Sequence, residues 1–366
     1  MSREFRMPSL GADMEAGILR EWRVQPGSSV RKGDVVALVE TDKGIIDIES
    51  YVEGTVETLI ATTDARVPVG AVLALLSGDS EMPVPTTPAP PVGDSPQRQR
   101  VSPAARARAV ALGVDLATLT GSGPEGAVTL QDVEQAAAHA APPVSPGGGM
   151  RHAIAAAMSR AKREIPHYYL QLAMDLSPTL QWLDAHNAVA PVPERLLLAV
   201  LQLKAVAQAA AALPGFSGTY EQEQFLPAPV VNAGMAIALR GGGLVAPAIA
   251  DTASKPLPVL MQALQDLVAR VRHGHLRSSE LSSATLTVTS LGEEGVEALW
   301  PIIHPPQVAI VGFGSPVLRP WVVGDQVVPR TVLTLSLAAD HRVTDGRLGA
   351  QFLARVRDAL SKPEAL

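Results

Sequence analysis

Near one end the chain reads TLSLAADHRVTDG, which sets a single imidazole, His341, among Asp340, Arg342 and Asp345. An imidazole has an ordinary pKa of about 6.5, so its neutral form takes a proton from a weak acid near neutrality. A base held in position for that step contributes about 10²–10⁴-fold to a rate. Near the other end, ALVETDKGIIDIES carries Lys43 in a polar turn between two apolar strands. A hairpin apex holds a lysine amine away from its sheet, where it can be acylated and carry a covalent group. Neither motif decides anything alone: HxxxDG arises often by chance, and a turn lysine is usually a solvated charge. Together, with proline-rich tethers between them, they point to an enzyme that carries its own substrate on an arm.

At 366 residues the chain has length for two or three domains. It is 47% hydrophobic but only 4% aromatic, so its cores must be built from Ala, Val, Leu and Ile. A net charge of −6 and a pI near 5.8 leave no electrostatic footprint for nucleic acid. Cysteine is absent. That excludes disulfides, thiolate metal sites and a cysteine nucleophile, and it suits a cytoplasmic location. The opening MSREFRMPSL has no apolar core of a secretion signal, and no run of about 20 apolar residues occurs, so no membrane partner is expected. The Ala/Leu-rich run 196–213 is interrupted by Gln202, Lys204 and Gln208 and reads as a buried helix. There is no HExxH and no Asp-rich calcium loop, so no metal is expected. His273 and His275 flank Gly274 at a basic helix end and read as solvated, and the glycines after Arg240 lack the GK[ST] of a phosphate loop.

Proline divides the chain. Residues 81–97 hold six of the 31 prolines and almost nothing large and apolar. About twenty such residues, at roughly 3.1 Å each, span about 60 Å. A shorter break lies at 141–149. The expected division is a domain at 1–79, a linker at 80–100, a small helical domain at 101–138, a second linker at 139–149 and an α/β domain at 150–366. The first reads as short Val-rich strands between Gly, Pro and Asp turns, an all-β sandwich or barrel. It holds an internal repeat, SSVRKGDVVALVE against ARVPVGAVLALLS. The second has two short helices around TGSGPEGAVT, a core marginal for independent folding. In the third, helices are expected at 150–164, 178–188, 194–212, 256–273 and 346–360. Strands are expected at 230–240, 284–290, 307–314 and 331–338.

All three segments resemble parts of one family. Residues 6–76 resemble a lipoyl domain through Met7-Pro8-Ser9-Leu10-Gly11, Met14, Gly17, Trp22, Gly27, Gly33-Asp34, Glu40-Thr41-Asp42-Lys43, Gly54 and Val67-Pro68-Val69-Gly70. Biotin carriers share that fold but flank the lysine with methionines, so Asp42 and Gly44 favour lipoate; the family usually has alanine at Gly44. Residues 101–138 resemble a peripheral subunit-binding domain through Ser102-Pro103-Ala104, Leu112-Gly113-Val114-Asp115, Thr120 to Gly126 and Asp132-Val133. Such domains dock a decarboxylase or dihydrolipoamide dehydrogenase through arginines. Arg106 is kept, while Val110 and Ala127 stand where the family often has arginine, with Arg98, Arg100 and Arg108 nearby. The remainder resembles the catalytic domain of dihydrolipoamide acyltransferases, related to chloramphenicol acetyltransferase. The matching residues are Arg151-His152-Ala153-Ile154-Ala155, Met158, Ile165-Pro166-His167, Val231-Asn232-Ala233-Gly234, Gly243 to Pro247, Thr285 to Gly292, Pro305 to Ile310 and Asp340 to Gly346.

The resemblance implies a core component of a 2-oxo acid dehydrogenase complex. Lys43 would carry lipoate, and the acyl group would pass to coenzyme A. Transfer between two thiols needs a base, because a thiol of pKa about 8.5 is mostly protonated at neutral pH. His341 would be that base. The oxyanion needs a fixed donor, worth about 10²–10³-fold, and the family's hydroxyl falls on Thr289, with Ser290 as rival. Asp345 would set the loop and the imidazole orientation, for instance by pairing with Arg151. Histidine and hydroxyl would come from different subunits of a homotrimer or of multiples of trimers. Two competing readings are a docking or structural subunit of weak activity and a stand-alone acyltransferase of small molecules. The intact DHRVTDG argues against the first, and the lipoyl-like domain against the second.

Overall fold

The computed structural model describes residues 2–8, 14, 16–41, 44–77, 105–106, 109, 121–123, 127–133, 148–239, 243–292 and 294–366, with backbone alone for 2, 44 and 148–153. Two compact units result, one of residues 1–79 with 149–366 and one of residues 80–148.

The first 77 residues form eight strands: β1 (Ser2–Arg6), β2 (Ala16–Trp22), β3 (Ser29–Val30), β4 (Val35–Thr41), β5 (Gly44–Glu49), β6 (Gly54–Leu59), β7 (Arg66–Pro68) and β8 (Val72–Ser77). They make two sheets, β1-β8-β6-β3 and β5-β4-β2-β7, whose inner faces bury Phe5, Met7, Leu19, Ile46, Ile48 and Leu73. The repeat seen in the sequence maps onto this pairing. Its first copy supplies β3 and β4 and its second β7 and β8, each with a short edge strand in one sheet and an interior strand in the other. Within one sheet, β2 and β4 approach closely at Gly17, where a Cβ would lie 2.4 Å from Cγ1 of Val39. Only glycine fits there without displacement of the core.

Beyond the linkers the elements are α1 (Gly148–Glu164), β9 (His167–Asp175), α2 (Ser177–Val189), α3 (Leu198–Ala212), β10 (Gly218–Glu221), β11 (Gln224–Pro227), β12 (Ala233–Met235), β13 (Ile237–Ala238), β14 (Leu244–Val245) and β15 (Ala248–Ile249). They continue as α4 (Leu257–Arg272), β16 (His275–Arg277), α5 (Ser278–Ser282), β17 (Leu286–Ser290), β18 (Ala309–Phe313), β19 (Val317–Val323), β20 (Gln326–Asp340) and α6 (Gly346–Leu360). A mixed sheet in the order β15-β12-β17-β18-β20-β19, with β9 also paired to β20, forms the backbone of this domain. Helix α6 buries Phe352, Leu353, Val356 and Leu360, and α4 buries Leu257, Leu260, Met261, Leu264, Leu267 and Val271. Both follow the three-and-four spacing that turns one helical stripe to a sheet.

Helix α3 is buried nearly all round, as its composition requires. Its interrupting Gln202 and Lys204 are buried too. The Lys204 ammonium donates to the carbonyls of Ala253 and Lys255, each at 2.6 Å, and its desolvation lowers its pKa. The segment expected as a single strand at 230–240 divides into β12 and β13. Strands β9 and β19 fall outside the expected set, and the strand expected at 331–338 is longer, running from Gln326 to Asp340 as β20. In the β19–β20 hairpin Pro320 sits opposite Pro329, and a residue without an N–H reads against a strand when the partner strand is unseen.

In the second unit, Ala105, Ala109, Val128 and Val133 form the buried cluster among the described residues. The polar loop is organised by Asp132, whose carboxylate accepts from Ser122 Oγ at 2.6 Å and from the backbone N–H groups of Ser122 and Thr129 at 2.9 Å. The Ser122 hydroxyl bond leads in holding this carboxyl below the usual range.

Candidate active site

His341 follows the last residue of β20, the long strand that pairs with β18, β19 and β9. Its backbone N–H donates to Pro166 O at 3.0 Å, which fixes the turn out of the sheet. Its ring meets Tyr168 edge to face with centroids 5.3 Å apart, and the imidazole is otherwise exposed. The Tyr168 hydroxyl lies 2.8 Å from Oγ1 of the buried Thr344, and burial pushes the Tyr168 phenol up despite that bond. Helix α6 closes over this tyrosine at Gly349, where a Cβ would lie 2.9 Å from the ring and 2.7 Å from Leu170. Two constraints therefore set the imidazole: a backbone bond and an aromatic wall.

The residues on either side of His341 form an ion pair. Asp340 is fully buried, and Arg342 embraces it through Nε (3.0 and 3.1 Å) and a terminal guanidinium nitrogen (2.6 Å), while the Arg342 N–H donates to the same carboxylate at 2.9 Å. The guanidinium also lies 3.9 Å above the Tyr220 ring. A carboxylate this deep needs such a partner to offset the loss of its hydration. Asp345 does something else. It is the N-cap of α6, accepting from Leu348 N–H at 2.9 Å, and it orders the loop as a helix start. Its expected partner Arg151 has its side chain outside the described residues. Beside the ion pair opens a cleft of about 430 Å³ lined by Arg160, Glu164, Tyr220, Glu223, Gln307 and Arg342, its arginines offset by glutamates.

His167 sits opposite Asp340 in the β9–β20 ladder. Its Nδ1 lies 2.9 Å from Ile165 O, and its Nε2 accepts from Ile303 N–H at 3.1 Å. Both nitrogens are thus engaged by backbone, with the proton assigned to Nδ1. Burial lowers its pKa. It ties the strand before His341 to the 300s loop.

Thr289 lies on β17, and no described residue bonds its hydroxyl. Ser290 differs, because its Oγ accepts from Gly292 N–H at 3.3 Å. Register separates Thr289 from His341. Thr289 pairs with Gly312, and Gly312 with Ser336, which is five residues before His341 along β20. At about 3.3 Å per residue that is about 16 Å along the strand, with two strand spacings of about 4.8 Å across it. The imidazole and hydroxyl of one chain cannot serve the same carbonyl.

Lys43 lies outside the described residues, as does Asp42. The described strands on either side are paired up to Thr41 opposite Gly44. In the sequence, Asp42 and Gly44 flank Lys43, so no methionine stands beside it. Arg106 is exposed next to Ala105 of the small core.

With this geometry in hand, comparison with known proteins is decisive. The family model of 2-oxoacid dehydrogenases acyltransferase (catalytic domain) matches residues 141–366. The chain belongs to this family. The model described as biotin-requiring enzyme matches residues 3–76, and that of the e3 binding domain matches residues 100–134. The dihydrolipoyllysine-residue acetyltransferase component of the acetoin cleaving system of Bacillus subtilis is 31% identical over 98% of both chains. Among solved structures, the cubic core of a pyruvate dehydrogenase multienzyme complex is 29% identical, with a TM-score of 0.56 over 59% of this chain and 90% of that one. The Azotobacter vinelandii dihydrolipoamide acetyltransferase, studied for the catalytic roles of a serine, a histidine and an asparagine, is 28% identical. Its TM-score is 0.55 over 59% of this chain and 90% of that one. The N-terminal, helical and C-terminal parts are accordingly a lipoyl domain, a subunit-binding domain and an acyltransferase domain.

Proposed function

We propose that the chain transfers an acyl group from a lipoyl-lysine at Lys43 to coenzyme A, as the core of a 2-oxo acid dehydrogenase complex. The observation that carries this reading is the separation of His341 from Thr289 within one chain, each positioned on the same sheet and each lacking its complement. Lipoate on Lys43 supplies a dithiol that holds the acyl group as a thioester. The chain's own residues do the rest. His341, oriented by Tyr168, accepts the proton of the coenzyme A thiol at its free ring nitrogen as the sulfur attacks. The Thr289 hydroxyl of another copy donates to the carbonyl oxygen as negative charge gathers there, and as the bond to the lipoyl sulfur breaks, His341 returns its proton to that leaving thiolate. Arg342 and Asp340 hold the turn, and Asp345 caps the following helix. The Azotobacter enzyme's histidine and asparagine have the spacing of His341 and Asp345.

A site shared between copies makes the chain an obligate oligomer, and cyclic closure into trimers is the arrangement supported by likeness to a cubic core. The subunit-binding domain recruits dihydrolipoamide dehydrogenase and the decarboxylase, with exposed Arg106 as one contact, and the 80–100 and 139–149 linkers free the lipoyl domain to move between them. The tether delivers the carried group at an effective concentration of order mM. The location proposed is the cytoplasm, where a cysteine-free chain has nothing to lose to reduction. The deciding experiment measures acyl transfer from acetyl-dihydrolipoamide to coenzyme A by the full chain. His341→Ala should lower it by about 10²–10⁴-fold. Full activity in that variant would refute the assignment. Reconstitution with a decarboxylase and a panel of 2-oxo acids then identifies the acyl group.

A further inference from the structure

Strand β5 begins at the lysine turn and forms the edge of its lipoyl sheet. An edge strand exposes a row of backbone donors and acceptors that can accept another strand. Here the acyltransferase domain provides one. Strand β16 runs parallel to β5, with His275 opposite Ile45, Leu276 opposite Ile46 and Arg277 opposite Asp47. The contact continues past the ladder. Glu49 N–H donates to Ser278 Oγ, and Ser279 N–H donates to the Glu49 carboxylate, both at 3.3 Å. Leu281 packs against the lipoyl core and also against the cluster of Val245, Val271 and Leu276, so one side chain belongs to both domains. The charges are complementary: Arg277 ends β16 and Arg272 lies three residues before its start, while Asp47 and Glu49 lie on β5.

We propose that the β16–α5 segment is a docking strand for the lipoyl domain of the same chain, a reversible berth for the loaded arm. Its place in the fold suits that use. Helix α5 leads into β17 at Thr285, and Asp340 N–H bonds Val308 just before β18, so docking strand and His341 occupy the same end of the central sheet. Its size suits it as well. Three paired residues and one shared leucine make a weak contact, yet a tether that keeps the partner at about mM concentration populates even weak contacts. Because strand addition reads backbone, the berth accepts the domain whichever acyl group it carries.

The purpose rests on Lys43 being the carrier site, but the contact can be tested without any activity. The chain has no cysteine, so a pair can be introduced cleanly. In the full chain, Asp47→Cys with Arg277→Cys should form a within-chain disulfide under mild oxidation at least about tenfold faster than Asp47→Cys with Asp325→Cys, the latter on the exposed β19–β20 turn. Equal rates, or a bond between chains, would overturn the proposal. A second measurement does not depend on cysteine. Arg277→Asp places like charges opposite each other and should speed amide exchange over residues 44–49 by about tenfold, leaving 72–77 unchanged. Unchanged exchange over 44–49 would also overturn it. Neither readout involves acyl transfer, so its failure and the failure of the proposed function are distinguishable.

Discussion

The two ends of the central sheet are built differently. At the His341 end, the imidazole is flanked by an ion pair with a buried carboxylate, an aromatic wall and a backbone bond, all from one chain. At the Thr289 end, the hydroxyl stands on a regular strand and no described residue engages it. A base must be oriented before the substrate arrives, so its supports are local. A donor to a developing oxyanion must keep its hydrogen bond free for the transition state, and an unpaired hydroxyl does that. Under the proposed function these are two half-sites, one held on several sides and one left bare.

That contrast can be broken in several places. The largest effect should come from mixing half-sites. His341→Ala and Thr289→Ala chains should each be deficient, by about 10²–10⁴-fold and 10²–10³-fold respectively. Co-assembled from denaturant in equal amounts, they should regain about one quarter of wild-type activity, because half of the bases and half of the donors are intact and they pair at random. No recovery would place both groups in one chain's site. Next, Ser290→Ala should leave turnover within about threefold of wild type, since that hydroxyl is already engaged with Gly292. A loss as large as that of Thr289→Ala, in the same acyl-transfer assay, would exchange the two assignments.

Smaller effects test the supports. Arg342→Met leaves the Asp340 carboxylate buried without its cation and should cost about 3 kcal/mol, read as a lower urea midpoint. Adding Asp340→Asn should recover part of that loss. The smallest effect concerns pH. The folded-state pKa of His167 is lowered, so the unfolded chain binds that proton more readily. Stability from this group is therefore intact above the unfolded value of about 6.5 and is lost as pH falls below it. Protonation at Nε2 would also end the bond from Ile303 N–H. Denaturation midpoints of wild type and His167→Asn should converge as pH drops from 7 to 5, and parallel curves would remove His167 from the account.

Much of this was legible in the residues alone. The helices follow from three-and-four spacing that only one buried face explains, and the lipoyl repeat foreshadows two equivalent sheets. DHRVTDG identifies the imidazole because its neighbours constrain the turn. What escaped depends on distant partners. Strand β9 shows weak alternation because its residues are half-covered on both faces, so Tyr168 in HYYLQLAMD had no signal as the wall beside His341. The Asp340–Arg342 pair was visible as two charges, but not that one would be fully buried. Neither was the five-residue offset between Thr289 and His341, a product of three strands in register. The β16–β5 ladder joins residues some 230 positions apart, beyond any local pattern.

The close approach at Gly349 has a consequence for how the site tolerates change. A single methyl there has no empty volume to enter, and its nearest neighbours are the Tyr168 ring and Leu170. The added volume would be transmitted through the ring to the imidazole edge it faces. Gly349 thus works as a spacer for the His341 ring without touching it: steric room at the fourth residue of a helix, rather than any charge, sets how far the imidazole can lean.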